Sequence, residues 1–148
     1  MLMSLMLLIM IACDPGIHYE PKDWTRVSQG RWSKTFGQID VETSDLGGLI
    51  GETWLNPELS IRNRSKSLAV VESAVLKTGD AEYIAGPPRY DWGKWEVAPG
   101  ATQRLDLEWR FEEEKPIYKV LKDPVEMILK VKVGDERVEV IIPMGKSV

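Results

Sequence analysis

The sequence predicts an all-β protein, an antiparallel sandwich or barrel of roughly seven to nine short strands. Segments in which apolar and polar residues alternate follow one another from Phe36 onward. Turn residues separate them about every eight to twelve positions, and no long helical period interrupts the series. With 148 residues, of which 43% are hydrophobic and 28% charged, the composition is that of one ordinary globular domain.

The N-terminal segment differs from the rest of the chain. Residues 1–12 are almost wholly apolar and lead directly to Cys13, the single cysteine. A helix of twelve residues is about 18 Å long, whereas a bilayer core needs about 20 apolar residues. The segment therefore suits the apolar region of a signal peptide, with Ala12 as the small residue before the cut. The alternative is a buried N-terminal strand or helix with an ordinary core cysteine.

The end of this segment, Met10-Ile11-Ala12-Cys13, resembles the lipobox of bacterial lipoproteins. The resemblance implies that residues 1–12, a short signal helix, are removed as a signal peptide. It also implies that Cys13 is acylated with diacylglycerol and becomes the new N-terminus. We therefore expect a protein held on a cell membrane by a lipid anchor, facing the periplasm or the outside of the cell.

Residues 13–35 are expected to form a lipid-anchored tether and approach segment. Pro15, Gly16, Pro21 and Gly30 interrupt any regular period there. The segment is nevertheless too apolar for a free tail, with Ile17, Tyr19, Trp24, Val27 and Trp32. Its second half is expected to pack on the domain or to lie at the membrane surface, and the β-domain is expected to span residues 36–148.

The first half of that domain reads as a series of short strands. Ile39 and Val41 alternate with polar neighbours, and Leu59 and Ile61 do the same. Between them, residues 45–48 predict a turn and residues 49–55 a strand. Residues 63–66 predict another turn. Residues 68–76 are apolar on both faces near their start, which indicates a central strand or one with a bulge.

The second half contains the clearest alternation. Residues 98–101, Ala-Pro-Gly-Ala, predict a type II turn. Four charged residues then alternate with four apolar ones, Leu105, Leu107, Trp109 and Phe111, as in a strand with one dry face. Trp109 and Trp54 are expected in the core. Residues 117–123 are expected to form a connection with room for one helical turn.

The last hairpin fixes its own register. Gly134 and Asp135 predict a two-residue loop of type II′. This loop pairs Val131 with Val138 on the inner face and, further along the strands, Leu129 with Val140 and Met127 with Ile142. Because a slip of one residue would move the valines to water, the register is strongly set. Pro143 is expected to end the strand.

Three stretches resemble the strand and turn arrangement of immunoglobulin-like domains in bacterial envelope proteins. They are residues 59–68, 97–100 and 105–109, and the resemblance covers residues 36–143. It implies an immunoglobulin-like antiparallel β-sandwich. The Cys…Trp…Cys framework of antibody domains is absent from the sequence, which excludes that subfamily.

Catalytic and metal-binding patterns are missing from the sequence. His18 is the single histidine, so neither a hydrolytic triad nor a transition-metal site is expected. Residues 112–114, three consecutive glutamates, predict a solvated turn rather than a calcium loop. The net charge of −4 without a basic block argues against nucleic acid as a partner. We expect no enzyme activity, no metal and no cofactor.

The loop of residues 86–95 is rich in aromatics, and Arg89, Tyr90, Trp92 and Trp95 are its candidate binding residues. Such residues dominate protein interfaces, and their rings can also stack on sugars or lie among lipid headgroups. Alternatively, Trp92 or Trp95 plugs one end of the sandwich. The predicted function is that of an envelope lipoprotein whose domain binds an envelope protein partner or serves a structural role. The alternative is a module that binds carbohydrate or cell-wall ligands through residues 89–95.

Overall fold

The predicted all-β antiparallel sandwich is confirmed by the computed structural model, which describes residues 16–85 and 95–147. More strands are present in these residues than predicted, because several are only two to four residues long. The strands are β1 (Ile17–Pro21), β2 (Thr25–Ser28), β3 (Arg31–Phe36), β4 (Ile39–Ser44), β5 (Leu46–Gly48), β6 (Trp54–Leu55), β7 (Glu58–Asn63), β8 (Ala69–Thr78), β9 (Ala81–Ile84), β10 (Glu96–Val97), β11 (Thr102–Asp106), β12 (Trp109–Arg110), β13 (Val125–Val133) and β14 (Glu136–Lys146). A single helical turn, α1 (Ile117–Val120), lies in the predicted connection.

Two large sheets enclose the core. The first has seven strands in the order β10-β8-β13-β14-β1-β5, with β9 also paired to β8. The second has five, in the order β11-β7-β4-β3-β2, and β6 and β12 form a small third sheet. Buried side chains from all three sheets join one hydrophobic cluster. Within the described ranges, no helix is long and apolar enough to cross a membrane.

The N-terminal approach segment is part of both large sheets. β1 lies between β14 and β5 in the first sheet, and β2 and β3 complete the second. Tyr19, Trp24 and Trp32 are buried in the core. The β-domain therefore begins before Phe36, because these aromatic side chains are needed to fill the space between the sheets. The predicted signal helix and Cys13 lie outside the described residues.

The predicted register of the last hairpin is confirmed. Val131 pairs with Val138, Leu129 with Val140 and Met127 with Ile142, and the loop consists of Gly134 and Asp135. Gly134 has a φ of 60°, as the first position of a type II′ loop requires.

Pro143 does not end the last strand, contrary to the prediction. Its carbonyl accepts a hydrogen bond from the Lys22 amide at 2.8 Å, just past the end of β1 at Pro21. In an antiparallel pair the N–H and C=O of one residue point to the same neighbour. The N–H that proline lacks would therefore point toward Lys22, beyond the end of β1, so its absence removes no hydrogen bond to β13, and β14 continues to Lys146.

The predicted strand of alternating residues 104–111 is divided between two sheets. Leu105, Leu107 and Trp109 are buried as predicted, but β11 pairs with β7 and β12 with β6. The Trp109 indole Nε1 donates a hydrogen bond to the Tyr83 carbonyl at 3.1 Å. This side chain thereby joins the small sheet to β9 of the first sheet.

Residues 45–55 differ from the predicted turn and strand. Leu46–Gly48 is strand β5 and pairs with β1, whereas only Trp54 and Leu55 of the predicted strand are extended. Gly47 is required, because a Cβ atom there would overlap the carbonyl oxygen of Ile17. Trp54 is 47% exposed, so its predicted place in the core is wrong.

Two further predictions in the middle of the chain are confirmed. The pairing of β8 with β13 shifts register between Lys130 and Val131, which leaves Glu72 as the bulged residue of a central strand. The Ala101 amide donates to the Ala98 carbonyl at 3.0 Å, and Gly100 has a φ of 75°, as in a type II turn.

Candidate interaction surface

The predicted binding residues fall mostly outside the described part of the chain. Cys13, Arg89, Tyr90 and Trp92 all lie there. Trp95 is described: it is half-buried against the hydrophobic core, and its carbonyl accepts a hydrogen bond from the Val71 amide at 2.7 Å. The binding of glycans by residues 89–95 therefore stays a prediction, and Trp95 is the one member for which packing against the core is seen.

The acidic side chains, His18 and the ion pairs of the described residues are spread over the surface. In the described ranges, no three His, Cys, Asp or Glu residues lie close enough together to hold a metal ion. His18 lies on the surface, with Nδ1 3.0 Å from the Asp45 carboxylate. Residues 112–114 are exposed, in agreement with a solvated turn.

A row of four aliphatic side chains crosses the outer face of the first sheet. Ile84 of β9 pairs with Val75 of β8, Val75 pairs with Ile128 of β13, and Ile128 pairs with Ile141 of β14. Directly opposite residues have Cβ atoms about 4.5–5.5 Å apart, so these four side chains form a continuous ridge. We call Ile84, Val75, Ile128 and Ile141 the aliphatic row.

The row faces solvent because of strand alternation. The residues beside Val75, Ile128 and Ile141 along each strand are buried, among them Leu76, Met127 and Ile142. Since successive side chains point to opposite faces of a strand, the row lies outside. Ile84 is 78% exposed and Ile141 is 40% exposed, whereas Val75 and Ile128 at the centre are half-buried by their neighbours.

Charged residues border the aliphatic row on both sides. On one side Glu82 pairs with Lys77 and Lys77 with Glu126 across the strands, and Lys77 Nζ lies 3.5 Å from Glu82 Oε1. On the other side Lys130 pairs with Glu139. An apolar centre with a polar, solvated rim is the organisation found in protein–protein interfaces.

The outer face of the second sheet is polar by contrast. It carries an open cavity of about 410 Å³ whose lining includes Ser33, Thr35, Ser60, Arg62 and Thr102. Several of its charged groups are paired with one another: Arg31 contacts Glu42 at 3.2 Å and Glu58 at 3.0 Å, and Arg64 contacts Asp40 at 3.0 Å. The two outer faces are therefore chemically distinct, and the first one has an exposed apolar row of the kind found at the centre of protein–protein interfaces.

The aliphatic row was not predicted as a site. The sequence of the last hairpin indicates half of the row, because Ile128 and Ile141 occupy outward positions among Glu126, Lys130 and Glu139. The other half, Val75 and Ile84, joins them only through the pairing of β8 with β13, which local alternation does not specify.

Comparison with known proteins supports the fold and leaves the function open. No protein-family model matches this chain, and the comparison with curated proteins found no match either. Among solved structures, the chain is similar to a functionally unknown protein from Listeria monocytogenes EGD-e, with a TM-score of 0.54 and 15% sequence identity. The similarity covers 81% of this chain and 85% of that one.

Proposed function

We propose that this protein is a non-enzymatic lipoprotein of the bacterial cell envelope, anchored through acylated Cys13, and that its β-sandwich binds another envelope protein. The observation that supports the binding role is the aliphatic row on the outer face of the first sheet. The anchor rests on the resemblance of residues 10–13 to a lipobox.

The aliphatic row contributes little to the stability of the isolated domain. It can contribute more to the stability of a complex, in which a partner would bury it. Burial of a fully exposed Ile side chain contributes about 1.5–3 kcal/mol, and Ile84 is 78% exposed. The rim offers both signs of charge on neighbouring strands, with Lys77 beside Glu126 and Lys130 beside Glu139. Such an alternating rim matches a folded protein surface, whereas a nucleic acid presents one sign of charge.

Tethering supplies the rest of the mechanism. A lipid anchor confines the domain to one membrane surface and raises its effective concentration for a neighbour on the same surface. An apolar row of four side chains is a small contact area, so the binding it supports is weak in solution and effective between anchored molecules.

Photocrosslinking in the native membrane tests the binding role. A photoreactive amino acid at position 84 or 141 is expected to give a crosslink to a second envelope protein. The same amino acid at position 102, on the polar face of the second sheet, is the matched control and is expected to give none. The crosslink should vanish when Ile128→Glu is added, while the domain still unfolds in one cooperative urea transition, because Ile128 lies on the outer face and not in the core.

A crosslinked band at twice the mass of this chain would show self-association and contradict a different protein as the partner. Equal crosslinking from positions 84 and 102 would contradict the aliphatic row as the contact surface.

Mass spectrometry of the membrane-extracted protein tests the anchor. The expected N-terminal residue is Cys13 with acyl groups attached, and Cys13→Ser is expected to release the protein from the membrane fraction. An unmodified N-terminal Met1, or membrane fractionation of Cys13→Ser equal to that of the natural chain, would contradict the anchor.

A further inference from the structure

One end of the sandwich carries exposed apolar side chains beside the point where the described chain begins. Ile17 pairs with Gly48, and a Cβ atom on Gly16 would lie 2.8 Å from the Gly48 carbonyl oxygen. Leu49 and Ile50 follow directly and are 53% and 36% exposed. The start of β1 and these two side chains therefore share one end of the molecule.

Two exposed aromatic residues belong to the same end. Trp54 begins β6 directly after the connection that holds Leu49 and Ile50 and is 47% exposed, and Tyr118 is 49% exposed on α1. The two segments are held together because the Ile117 amide donates to the Glu52 carbonyl at 2.7 Å. Lys119 Nζ lies 5.8 Å from the centre of the Tyr118 ring. We call Leu49, Ile50, Trp54, Tyr118 and Lys119 the basal patch.

The distance between the proposed anchor and this end is short. Gly16 is three positions after Cys13, and three residues of extended chain span at most about 11 Å. The headgroup layer on each side of a bilayer is about 5–7 Å thick. A domain attached at Cys13 therefore cannot lift this end far from the membrane surface.

We propose that the basal patch lies in the headgroup layer of the membrane that holds the anchor, a proposal that rests on the proposed acylation of Cys13. Trp and Tyr are enriched at membrane interfaces, where one end of each ring system is apolar and the other wet. Leu49 and Ile50 supply apolar surface at the same level. Lys119 can keep its ammonium group among lipid phosphates while its stem covers apolar surface.

This placement orients the whole domain. The Ser147 amide donates to the His18 carbonyl at 2.9 Å, so the end of the last strand lies beside the basal patch. The loop of Gly134 and Asp135 lies at the far end of β14, eleven residues away. At about 3.3 Å per residue, β14 is roughly 36 Å long, which is the greatest height that the loop can have above the patch, and the aliphatic row lies on the side of the domain.

Site-directed fluorescence on the full acylated protein in vesicles tests the proposal. Because the thiol of Cys13 carries lipid, Leu49→Cys introduces a single reactive thiol, and Asp135→Cys provides the matched control at the far end. Each is labelled with an environment-sensitive dye and incorporated into phosphatidylethanolamine and phosphatidylglycerol vesicles that contain brominated lipid. The expected result is a blue shift and quenching at position 49 and neither at position 135. Trp54→Cys is expected to behave like Leu49→Cys.

The outcomes separate the patch from the anchor. Mass spectrometry and co-sedimentation of the same samples report whether the protein is acylated and vesicle-bound. If it is, and position 49 is as little quenched as position 135, the basal patch is overturned and the anchor stands. If Cys13 carries no lipid, both proposals are overturned. A blue shift at position 49 without quenching by brominated lipid would indicate a protein contact and contradict the lipid surface.

Discussion

At the scale of single residues, Asn63 is fully buried and uses both ends of its amide. Nδ2 donates to the carbonyls of Ser67 at 2.6 Å and Val97 at 3.0 Å, and Oδ1 accepts from the Ser65 amide at 3.0 Å. Asn63→Ala removes all three hydrogen bonds, although the Ser67 carbonyl keeps a donor in the Ser65 hydroxyl at 3.0 Å. At about 0.5–1.5 kcal/mol for each bond, we expect the free energy of unfolding to fall by roughly 2–4 kcal/mol, measured by urea titration.

The exposed Asn56 provides the matched control. Asn56→Ala is expected to change the free energy of unfolding by less than about 0.5 kcal/mol, as is usual for surface substitutions. Equal effects of the two substitutions would show that the hydrogen bonds of the Asn63 side chain do not stabilise the fold.

Tyr19 makes the stability of the fold sensitive to alkaline pH. Burial raises the pKa of its phenol above 10.0, and the Asp123 carboxylate adds to the rise. Because the folded state favours the protonated phenol, this contribution is fully present below pH 10 and is lost as the pH rises through the pKa of the folded state.

We therefore expect the urea midpoint of the natural chain to fall above pH 10 more steeply than that of Tyr19→Phe. The substitution removes the titrating group and a 3.4 Å hydrogen bond to the Leu121 carbonyl. Parallel midpoint curves for the two proteins between pH 8 and pH 11 would contradict a role for this phenol.

At the scale of secondary-structure elements, the pairing of β5 with β1 depends on Gly47. A Cβ atom there meets the backbone carbonyl of Ile17, which cannot move without breaking the ladder. We expect Gly47→Ala to destabilise the protein by about 1–3 kcal/mol, the usual cost of overpacking. Gly51 lies in the following turn with open space around it, so Gly51→Ala is the control and should be close to neutral. Hydrogen exchange of the β1 amides checks the location of the effect.

The last hairpin and strand β5 show which parts of the fold can be predicted from the sequence and which cannot. The last hairpin was predicted residue by residue, since a two-residue loop and strict alternation determine which side chains meet. Strand β5 was predicted as a turn, because Gly47 and Gly48 indicate a turn unless their close partner Ile17 is known. That partner is 30 positions away in the sequence, and local patterns carry no information about such pairings.

The aliphatic row, too, could be predicted only in part from the sequence. The outward positions of Ile128 and Ile141 are readable from the alternation of the hairpin. Their continuation through Val75 to Ile84 depends on non-local pairing. The exposure of Trp54 could not be predicted from the sequence either. A large aromatic residue is ordinarily expected to be buried, and only the packing of the small sheet leaves Trp54 at the surface.

At the scale of the whole molecule, three strands lie before Phe36 or end at it. They are β2 and β3 of the second sheet and β1, which lies between β14 and β5 in the first sheet. A chain that begins at residue 36 lacks the buried side chains of Tyr19, Trp24 and Trp32. Loss of one buried Trp side chain costs about 3–5 kcal/mol, and a whole domain is stable by only about 5–15 kcal/mol. We expect the chain of residues 36–148 to show no cooperative urea transition.

The chain of residues 14–148 is the control and should unfold in a single sharp transition with dispersed amide resonances. A cooperative transition in both chains would contradict this expectation, because it would show that the domain folds without residues 17–35.

The position of β1 has a mechanical consequence for a protein anchored at Cys13. A pull on the domain reaches the fold at Gly16 and acts along β1, which is hydrogen-bonded to β14 on one side and to β5 on the other. Because the bonds of an antiparallel pair run perpendicular to the strands, such a force loads them together in shear instead of opening them one at a time. The strand nearest the proposed anchor is therefore hydrogen-bonded on both sides, which suits it to resist a force that pulls the domain away from Cys13.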